Sequence, residues 1–178
     1  MTDKRIRALL LLPAAGCVAI LMAPRPAAAG GATYDDPFDY CAAMGTVDRP
    51  GPPYSGPAMP DSLARKLKAA AGAAADAPLA LFREGAFWRC MDGAVYACTV
   101  GANLPCMTKA DSGREPAPAV RDFCREQPEA EAVPAVVTGR ATVYAWRCSQ
   151  GRPVIEGAPR AVDAAGFLAD IWYQLQPD

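Results

Sequence analysis

The seven cysteines are the residues of this sequence whose type and spacing could carry chemistry. Cysteine thiolates bind zinc, exchange disulfides or act as nucleophiles, and each of these uses has its own typical spacing. No two cysteines form a C-x-x-C pair, and the chain of 178 residues contains no histidine. The sequence therefore disfavours a zinc site and dithiol redox chemistry, and it excludes catalytic triads that use imidazole as the base.

Residues 1–29 are typical of a secretory signal peptide. A positively charged start is followed by an apolar stretch over residues 8–23 and by three alanines at 27–29, where cleavage would expose Gly30. The apolar stretch is short for a membrane span, and Pro24 and Pro26 follow it directly. The sequence predicts a periplasmic or secreted protein, with an N-terminal membrane anchor as the alternative.

Cys17 leaves a second alternative open, because residues 14–17 read Ala-Ala-Gly-Cys and loosely resemble the lipoprotein box of bacteria. The usual leucine is missing at the first position, and apolar residues 18–22 follow where a lipoprotein normally turns polar. We therefore expect no lipid anchor at Cys17 and no membrane span after signal cleavage.

Six cysteines remain after removal of the predicted signal peptide, and an even number in an exported chain predicts three disulfides. Fifteen pairings of six cysteines are possible, and composition does not choose among them. The predicted disulfide cysteines are Cys41, Cys90, Cys98, Cys106, Cys124 and Cys148.

The charge of the predicted mature chain indicates which kinds of partner are disfavoured. Removing residues 1–29 takes one of 19 acidic and four of 18 basic residues, which leaves 149 residues with a formal charge of −4. Mild acidity without a basic run disfavours nucleic acid and anionic membrane surfaces. We expect an unknown protein or envelope component as the partner, a monomeric state, and no cofactor or metal ion.

A hairpin around Asp92-Gly93 is the strongest structural signal, because glycine adopts the positive φ of a type I′ turn without strain. Residues 86–91 and 94–100 are the predicted strands, rich in aromatic and β-branched side chains. Alternation places Trp88 and Cys90 on one face and Cys98 on the other, so Cys90 and Cys98 should not bond to each other. A Cys98–Cys106 bridge would instead close the loop that follows.

The elements before the hairpin are an irregular arm, a helix and a short strand. Residues 30–60, rich in Pro, Gly and Asp, are predicted to run over the surface with Cys41 as anchor. A helix capped by Asp61 or Ser62 should end at Gly72. Residues 79–82 are a strand candidate, and residues 61–178 form the predicted domain.

The elements after the hairpin are a helix, a second hairpin and a final strand. A helix from Pro116 or Pro118 to Gln127 should direct Cys124 into the core and join it to the sheet. Residues 133–138 and 141–148 are predicted to pair around Gly139-Arg140, and residues 153–156 to return from there. For residues 167–175 we expect a strand paired with residues 160–162, with a helix as the alternative.

The sequence W-R-C-x-x-G occurs twice, at residues 88–93 and 146–151. The repetition favours a shared local geometry of strand, cysteine, glycine turn and return strand. Together these elements predict the α+β class: a small antiparallel sheet of about six strands built from hairpins, with two short helices and three disulfides.

Catalytic groups are few, so we expect a protein that is not an enzyme. Without histidine, carboxylates are the remaining acid and base groups, and a glycosidase acting on cell-wall sugar needs two of them facing a cleft. The candidates lie mostly in predicted turns and on exposed helix faces. They are Glu84, Asp92, Glu115, Glu126 and Glu129.

A binding role fits the sequence better than catalysis does. A loop held by a disulfide has lost conformational entropy that binding would otherwise have to overcome. The alternatives for this loop are a structural role and inhibition of a hydrolase, with Leu104 extended before Pro105 as in a protease inhibitor. The candidate recognition residues are Gly101, Ala102, Asn103, Leu104 and Pro105.

Two tryptophan–arginine pairs, at residues 88–89 and 146–147, could stack sugars on a sheet surface. A core tryptophan beside an arginine at the sheet edge is the interpretation we favour, because Trp88 shares its face with Cys90 and Val95.

The stretch W-R-C-M-D-G-x-V-Y-A-C-T-V-G-A-N-L-P-C at residues 88–106 resembles the signature of a family of small exported, cysteine-rich bacterial proteins of uncharacterised function. The resemblance extends from about Tyr40 to Tyr173. It implies an exported domain and brings no activity with it. The plan is also similar, at the level of class, to periplasmic lysozyme inhibitors, although their loop motifs do not occur here.

Overall fold

Short helices and small antiparallel sheets make up the fold, as predicted for the α+β class. The computed structural model describes residues 31–101 and 104–178, so the predicted signal peptide and Cys17 lie outside the described residues. The helices are α1 (Pro37–Met44), α2 (Asp61–Ala70), α3 (Ala80–Glu84), α4 (Pro118–Glu126) and α5 (Ala135–Thr138), with a 3₁₀ helix at Ala169–Ile171. The strands are β1 (Ala86–Met91), β2 (Ala94–Thr99), β3 (Ala145–Ser149), β4 (Arg152–Glu156) and β5 (Tyr173–Leu175).

The first hairpin forms as predicted. β1 and β2 pair in the expected register, with Trp88 opposite Ala97. Asp92 and Gly93 have φ of 52° and 80°, as a type I′ turn requires. β5 adds to the far side of β2 and gives the order β1-β2-β5, which leaves β1 at an edge of this sheet.

The second hairpin lies later in the chain than predicted. β3 and β4 pair around Gln150 and Gly151, whose φ values are 50° and 72°. The return strand over residues 153–156 is confirmed as β4. The predicted pairing of residues 133–138 with 141–148 around Gly139-Arg140 is wrong.

The β-branched residues of 133–138 form helix α5 instead. The carbonyl of Pro134 accepts hydrogen bonds from the N–H groups of Val137 and Thr138, at 2.8 and 3.1 Å. Gly139, with φ of 84°, ends the helix. Val136 is 82% exposed, so no sheet packs on it. The preference of β-branched residues for strands depends on such packing and therefore has no effect here.

Residues 79–82 also adopt a helix where a strand was predicted. The carbonyl of Leu79 accepts hydrogen bonds from Phe82 and Arg83 and so closes the first turn of α3. Only Phe82 of this helix is buried, and a single helical turn is enough to bring it onto the core.

Helix α1 lies inside the predicted irregular arm. Asp36 caps it by accepting hydrogen bonds from the N–H groups of Phe38 and Asp39, at 2.7 and 3.2 Å. Tyr40 and Cys41 on this helix are fully buried. The expectation that residues 30–60 only cross the surface is therefore wrong, because an acidic cap and two buried side chains outweigh the loop-forming composition.

Helix α2 lies where predicted, and its buried stripe contains Leu63 and Leu67. Its N-cap is Pro60, and no side chain caps the helix, so the predicted cap by Asp61 or Ser62 is wrong. Helix α4 also begins and ends as predicted.

The C-terminal segment is only in part the predicted strand. Val162 and Leu168 form a single antiparallel bridge across a turn that Gly166 completes. The chain then forms the 3₁₀ helix and continues as β5, which pairs with β2 and not with residues 160–162. Pairing with β2 buries Leu175 in the hydrophobic cluster that contains Tyr40 and Trp88. The predicted hairpin with residues 160–162 would have left Leu175 outside this cluster.

Three disulfides cross-link these elements, and the cysteine predictions are confirmed. Cys41–Cys90 joins α1 to β1, and Cys98–Cys106 closes the loop after β2. Cys124–Cys148 joins α4 to β3, as expected for a helix fastened to a sheet.

Two parts of the chain repeat one arrangement of helix, disulfide and hairpin. We call them the first module, α1 with β1 and β2, and the second module, α4 with β3 and β4. In each, the helix carries a cysteine preceded by Asp and an aromatic residue. That cysteine bonds to the cysteine of W-R-C-x-x-G. The predicted shared geometry of the two repeats is confirmed.

Backbone hydrogen bonds extend the equivalence of the modules. The carbonyl four residues after the helix cysteine accepts a bond from the turn glycine in both modules, and the carbonyl six residues after it accepts one from the hairpin cysteine. The bonds run from Gly93 to Gly45 (2.9 Å), Gly151 to Pro128 (3.1 Å), Cys90 to Val47 (3.0 Å) and Cys148 to Ala130 (2.8 Å).

The modules differ nine residues after the helix cysteine. In the second module this residue is Val133, whose N–H donates to the carbonyl of Trp146 at 2.7 Å. In the first module it is Pro50, which has no N–H to donate. The carbonyl of Trp88, the counterpart of Trp146, therefore lacks the equivalent bond.

Candidate functional site

A groove of about 500 Å³ lies beside β1 in the first module. Its volume is in the range of ligand-binding sites in proteins. Apolar side chains prevail in its lining, and charged side chains occur with them. The residues that matter for its chemistry are Arg49, Tyr54, Met59, Phe87, Trp88 and Met107.

Trp88 and Tyr54 form the aromatic wall of the groove. Their rings meet edge to face with centroids 4.9 Å apart, and the indole N–H of Trp88 donates to the carbonyl of Ala58 at 2.8 Å. Trp88 is only 2% exposed, so the core fixes its position. This wall is rigid because packing and a hydrogen bond both hold the indole.

The hydroxyl of Tyr54 donates to the carbonyl of Pro57 at 3.0 Å. Burial raises the pKa of Tyr54 to about 12, and the negative charges of Asp36 and Asp35 add to the shift. Tyr54 is therefore neutral at physiological pH and is a hydrogen-bond donor, not a general base.

Charged side chains of the groove lining are mostly basic. Arg49 is exposed and makes no ion pair with any described residue. Arg83 also lines the groove and pairs with Asp61 at 3.2 Å, and Glu84 is the single lining carboxylate. The free guanidinium of Arg49 gives this groove a preference for an anionic group.

The outer edge of β1 borders the groove. In a two-residue hairpin, residues 91, 89 and 87 bond to β2, so the backbone groups of 90, 88 and 86 point outward. Cys90 confirms this geometry, because its outward N–H and carbonyl both bond to Val47. In the described part of the chain, the outward backbone groups of Trp88 and Ala86 have no such partner.

The predicted recognition loop is closed by its disulfide but turns part of itself inward. Leu104 is half-buried and packs on the cluster that contains Cys98 and Cys106. Gly101 is exposed, Pro105 is partly buried, and Ala102 and Asn103 lie outside the described residues. The residue after Cys106 is Met107, so the disulfide holds one end of the loop beside the groove.

Both tryptophans lie in the core as predicted, but Arg89, although on an edge strand, is not exposed there. Arg89 is fully buried, forms an ion pair with Asp163, and lies 4.5 Å and 4.6 Å from the ring centroids of Trp172 and Phe167. The sequence pattern misplaced it because its neutralising carboxylate is 74 residues away. Arg147 is half-buried.

The five candidate carboxylates are all exposed. Glu84 lines the groove beside β1, and Glu129 lines a separate cavity together with Glu131 and Glu156. Within residues 31–101 and 104–178, no three His, Cys, Asp or Glu side chains come together in a way that could hold a metal ion. In the same residues no helix is long and apolar enough to cross a membrane.

The groove residues were not found from the sequence. Arg49, Tyr54 and Met59 belong to the predicted irregular arm, and only the fold brings them to β1. Two signals point to them in retrospect. One is Tyr54 within a Pro- and Gly-rich stretch, since an aromatic residue there needs a packing partner, and the other is Pro50 at the repeat position of Val133.

No protein-family model, no curated protein and no solved structure matches this chain.

Proposed function

We propose that this protein is an exported, non-catalytic binding protein whose ligand-binding site is the groove beside β1. The observation that carries the proposal is the combination of a rigid aromatic wall, a free arginine and unpaired backbone groups around one cavity of about 500 Å³. Groups of these three kinds bind a ligand through contact with the partly exposed ring of Tyr54, through charge and through hydrogen bonds, and none of them supplies a nucleophile or a base.

Export is supported by the three disulfides. Disulfides persist in the periplasm and outside the cell, whereas the cytosol keeps most thiols reduced. The resemblance of residues 88–106 to exported bacterial proteins points the same way. The intact mass of the protein from its own cells, with and without reduction and alkylation, tests this part. We expect a chain that starts near Gly30 without a free thiol, and a mass that includes residues 1–29 would contradict export by cleavage.

A groove-filling variant tests the binding site. Ala58 is exposed and lines the groove, and its carbonyl rather than its side chain holds Trp88, so A58W fills the cavity without disturbing the core. Ala119 is an exposed alanine on α4 away from the groove, and A119W is the matched control. The two variants add the same side chain at exposed positions.

The assay is quantitative cross-linking of the purified, oxidised protein in periplasmic extract or culture medium. We expect A58W to lower the yield of at least one cross-linked partner about tenfold, the loss of one or two contacts, while A119W leaves the yield unchanged. Equal yields of every partner with A58W and A119W would contradict the groove as the binding site.

The Cys98–Cys106 disulfide favours a second candidate, inhibition of a protease or lysozyme by the loop that it closes. Under this hypothesis L104A removes the inserted side chain and abolishes inhibition, while A58W leaves inhibition intact. The partial burial of Leu104 against the cluster that contains Cys98 and Cys106 counts against it, because an inserted residue must be free to enter the target. Unchanged inhibition of a susceptible hydrolase by L104A would remove this candidate.

A further inference from the structure

We propose that the outer edge of β1, from Ala86 to Trp88, binds an extended peptide segment of another protein as an added strand, with an acidic side chain of that peptide on Arg49. The inference rests on the proposed function, since it assigns the ligand class of the same groove. It commits to strand addition, a mode in which backbone hydrogen bonds supply affinity and side-chain pockets supply selectivity.

The second module shows what such an edge accepts. There the chain's own segment 130–133 lies along the outer edge of β3, and it bonds to Cys148 at one end and to Trp146 at the other. The first module has the same helix, disulfide, turn and hairpin, so its β1 edge offers the same groups in the same order. An extended backbone is the partner that this architecture already uses.

Proline leaves the first module's edge open. The segment after α1 makes the bonds between Val47 and Cys90 and then departs from β1, because Pro50 stands where Val133 donates in the second module. The carbonyl of Trp88 faces the groove without the donor that Trp146 has. An unpaired backbone carbonyl away from bulk water gains most from a new N–H donor.

The other sheet edges are less suited to an added strand. On β4 the outward position next to Cys148 is Pro153, which cannot donate to an added strand. The outer edge of β2 is occupied by β5. β1 is the edge that combines the unpaired outward carbonyl of Trp88 with the groove of about 500 Å³.

Charge and shape select among peptides. Successive side chains of an added strand point to opposite faces, so alternate residues enter the groove. Apolar ones would meet Phe87, Met59 and Met107, and a carboxylate would meet the free guanidinium of Arg49. The expected ligand is a peptide in which the residues that enter the groove alternate with residues that point away from it. Those that enter the groove are β-branched or aromatic, with at least one Asp or Glu.

The probe for the test is a library of random peptides of about seven residues, the length of an ordinary strand. The library is displayed on phage and selected on the oxidised mature protein. Selected sequences are made as synthetic peptides, each with a series of single backbone N-methyl groups. Affinity is measured by fluorescence anisotropy, and sedimentation of the protein alone at several concentrations reports self-association.

We expect an alternating pattern in the N-methyl series. Methylation of an N–H that faces β1 should weaken binding about tenfold, whereas methylation of the next N–H along should have little effect. R49E should weaken acidic peptides about tenfold as well. The matched control is R152E, because Arg152 is an equally exposed arginine at the start of β4, away from the groove.

Three results would overturn the inference. Binding that A58W abolishes but that shows no alternation with N-methylation would leave the groove as a binding site and refute strand addition. No selected peptide, together with partner yields equal for A58W and A119W, would refute the inference and the proposed function together. Self-association that R49E disrupts would assign the edge to a second copy of this chain.

Discussion

The buried ion pair between Arg89 and Asp163 offers the most direct test of how the core is packed. The side chain of Arg89 is 0% exposed and that of Asp163 is 8% exposed. The rings of Trp172, Phe167 and Tyr96 surround the guanidinium at 4.5, 4.6 and 5.4 Å. Asp163 is its single carboxylate partner among the described residues, so the neighbourhood has no other negative charge to offset the arginine.

The substitution D163N removes that charge with little change of shape. Oδ1 of Asp163 accepts hydrogen bonds from the N–H groups of Ala165 and Phe167 at 2.9 and 3.0 Å, and the amide oxygen of Asn can keep both. The cost is therefore that of an uncompensated buried cation, about 3–5 kcal/mol of unfolding free energy. At about 2–4 °C per kcal/mol for a domain of this size, the melting temperature should fall by about 10 °C.

Urea unfolding with the disulfides intact measures this cost, and D170N is the control. Asp170 forms a two-bond ion pair with Arg160 on the surface, at 2.7 and 2.9 Å, and exposed pairs contribute less than about 1 kcal/mol. The double variant R89M/D163N should recover most of the stability, because it replaces the isolated cation by an apolar side chain among three rings.

Two results would refute the reasoning. One is a cost of D163N no larger than that of D170N, which would mean that water reaches Arg89. The other is a double variant less stable than D163N alone, which would mean that the arginine stem and its ring contacts, not the charge pair, stabilise this region.

Three further predictions concern the turns, the disulfides and the groove. Gly93 and Gly151 have φ of 80° and 72°, and a Cβ at either would meet no atom closer than 3.7 Å. Alanine at either position should therefore cost a similar amount, about 1–2 kcal/mol by urea unfolding, because the cost is that of the left-handed backbone. Clearly unequal costs would contradict the equivalence of the modules. Replacing the Cys41–Cys90 bridge by serines should destabilise the fold by about 4 kcal/mol, and replacing Cys98–Cys106 by about 2.5 kcal/mol. The first bridge closes the longer loop, since the separations are 49 and 8 residues. The reverse order in thermal unfolding would show that native contacts outweigh loop closure. The pKa of Tyr54 is raised to about 12 from 10, so its contribution to stability is complete below pH 10 and is lost as the pH rises towards 12. Between pH 9 and pH 11, the free energy of unfolding in urea should therefore fall less for Y54F than for the native chain. Equal losses would show that Tyr54 is not the origin of the pH dependence.

The sequence predicted the elements whose signals are local. Asp92-Gly93 specifies a type I′ turn through backbone angles alone, and the turn then sets the register of both strands and the faces of Cys90 and Cys98. Helix α4 was also predictable, because a proline at its start and an i, i+3, i+4 pattern with Cys124 are local features.

The errors have a common physical cause. Residues 79–82 and 133–138 are short segments with strand-forming residues, and the presence of a neighbouring strand decides whether they extend or coil. Arg89 was predicted to lie at the sheet edge, because the benefit of burying it depends on Asp163, which lies far away in sequence. Contacts between distant segments are not encoded in any single window of the chain.

The sequence by itself determined the disulfide count, the first hairpin and the repeat of W-R-C-x-x-G, since each follows from residue chemistry or backbone geometry over a few positions. The tertiary structure alone decided that residues of the 49–59 segment border the groove beside β1, that Arg89 enters the core, and that Pro50 occupies the repeat position at which Val133 bonds to Trp146. A binding groove is an arrangement of segments distant in sequence, and packing of the whole chain brings them together.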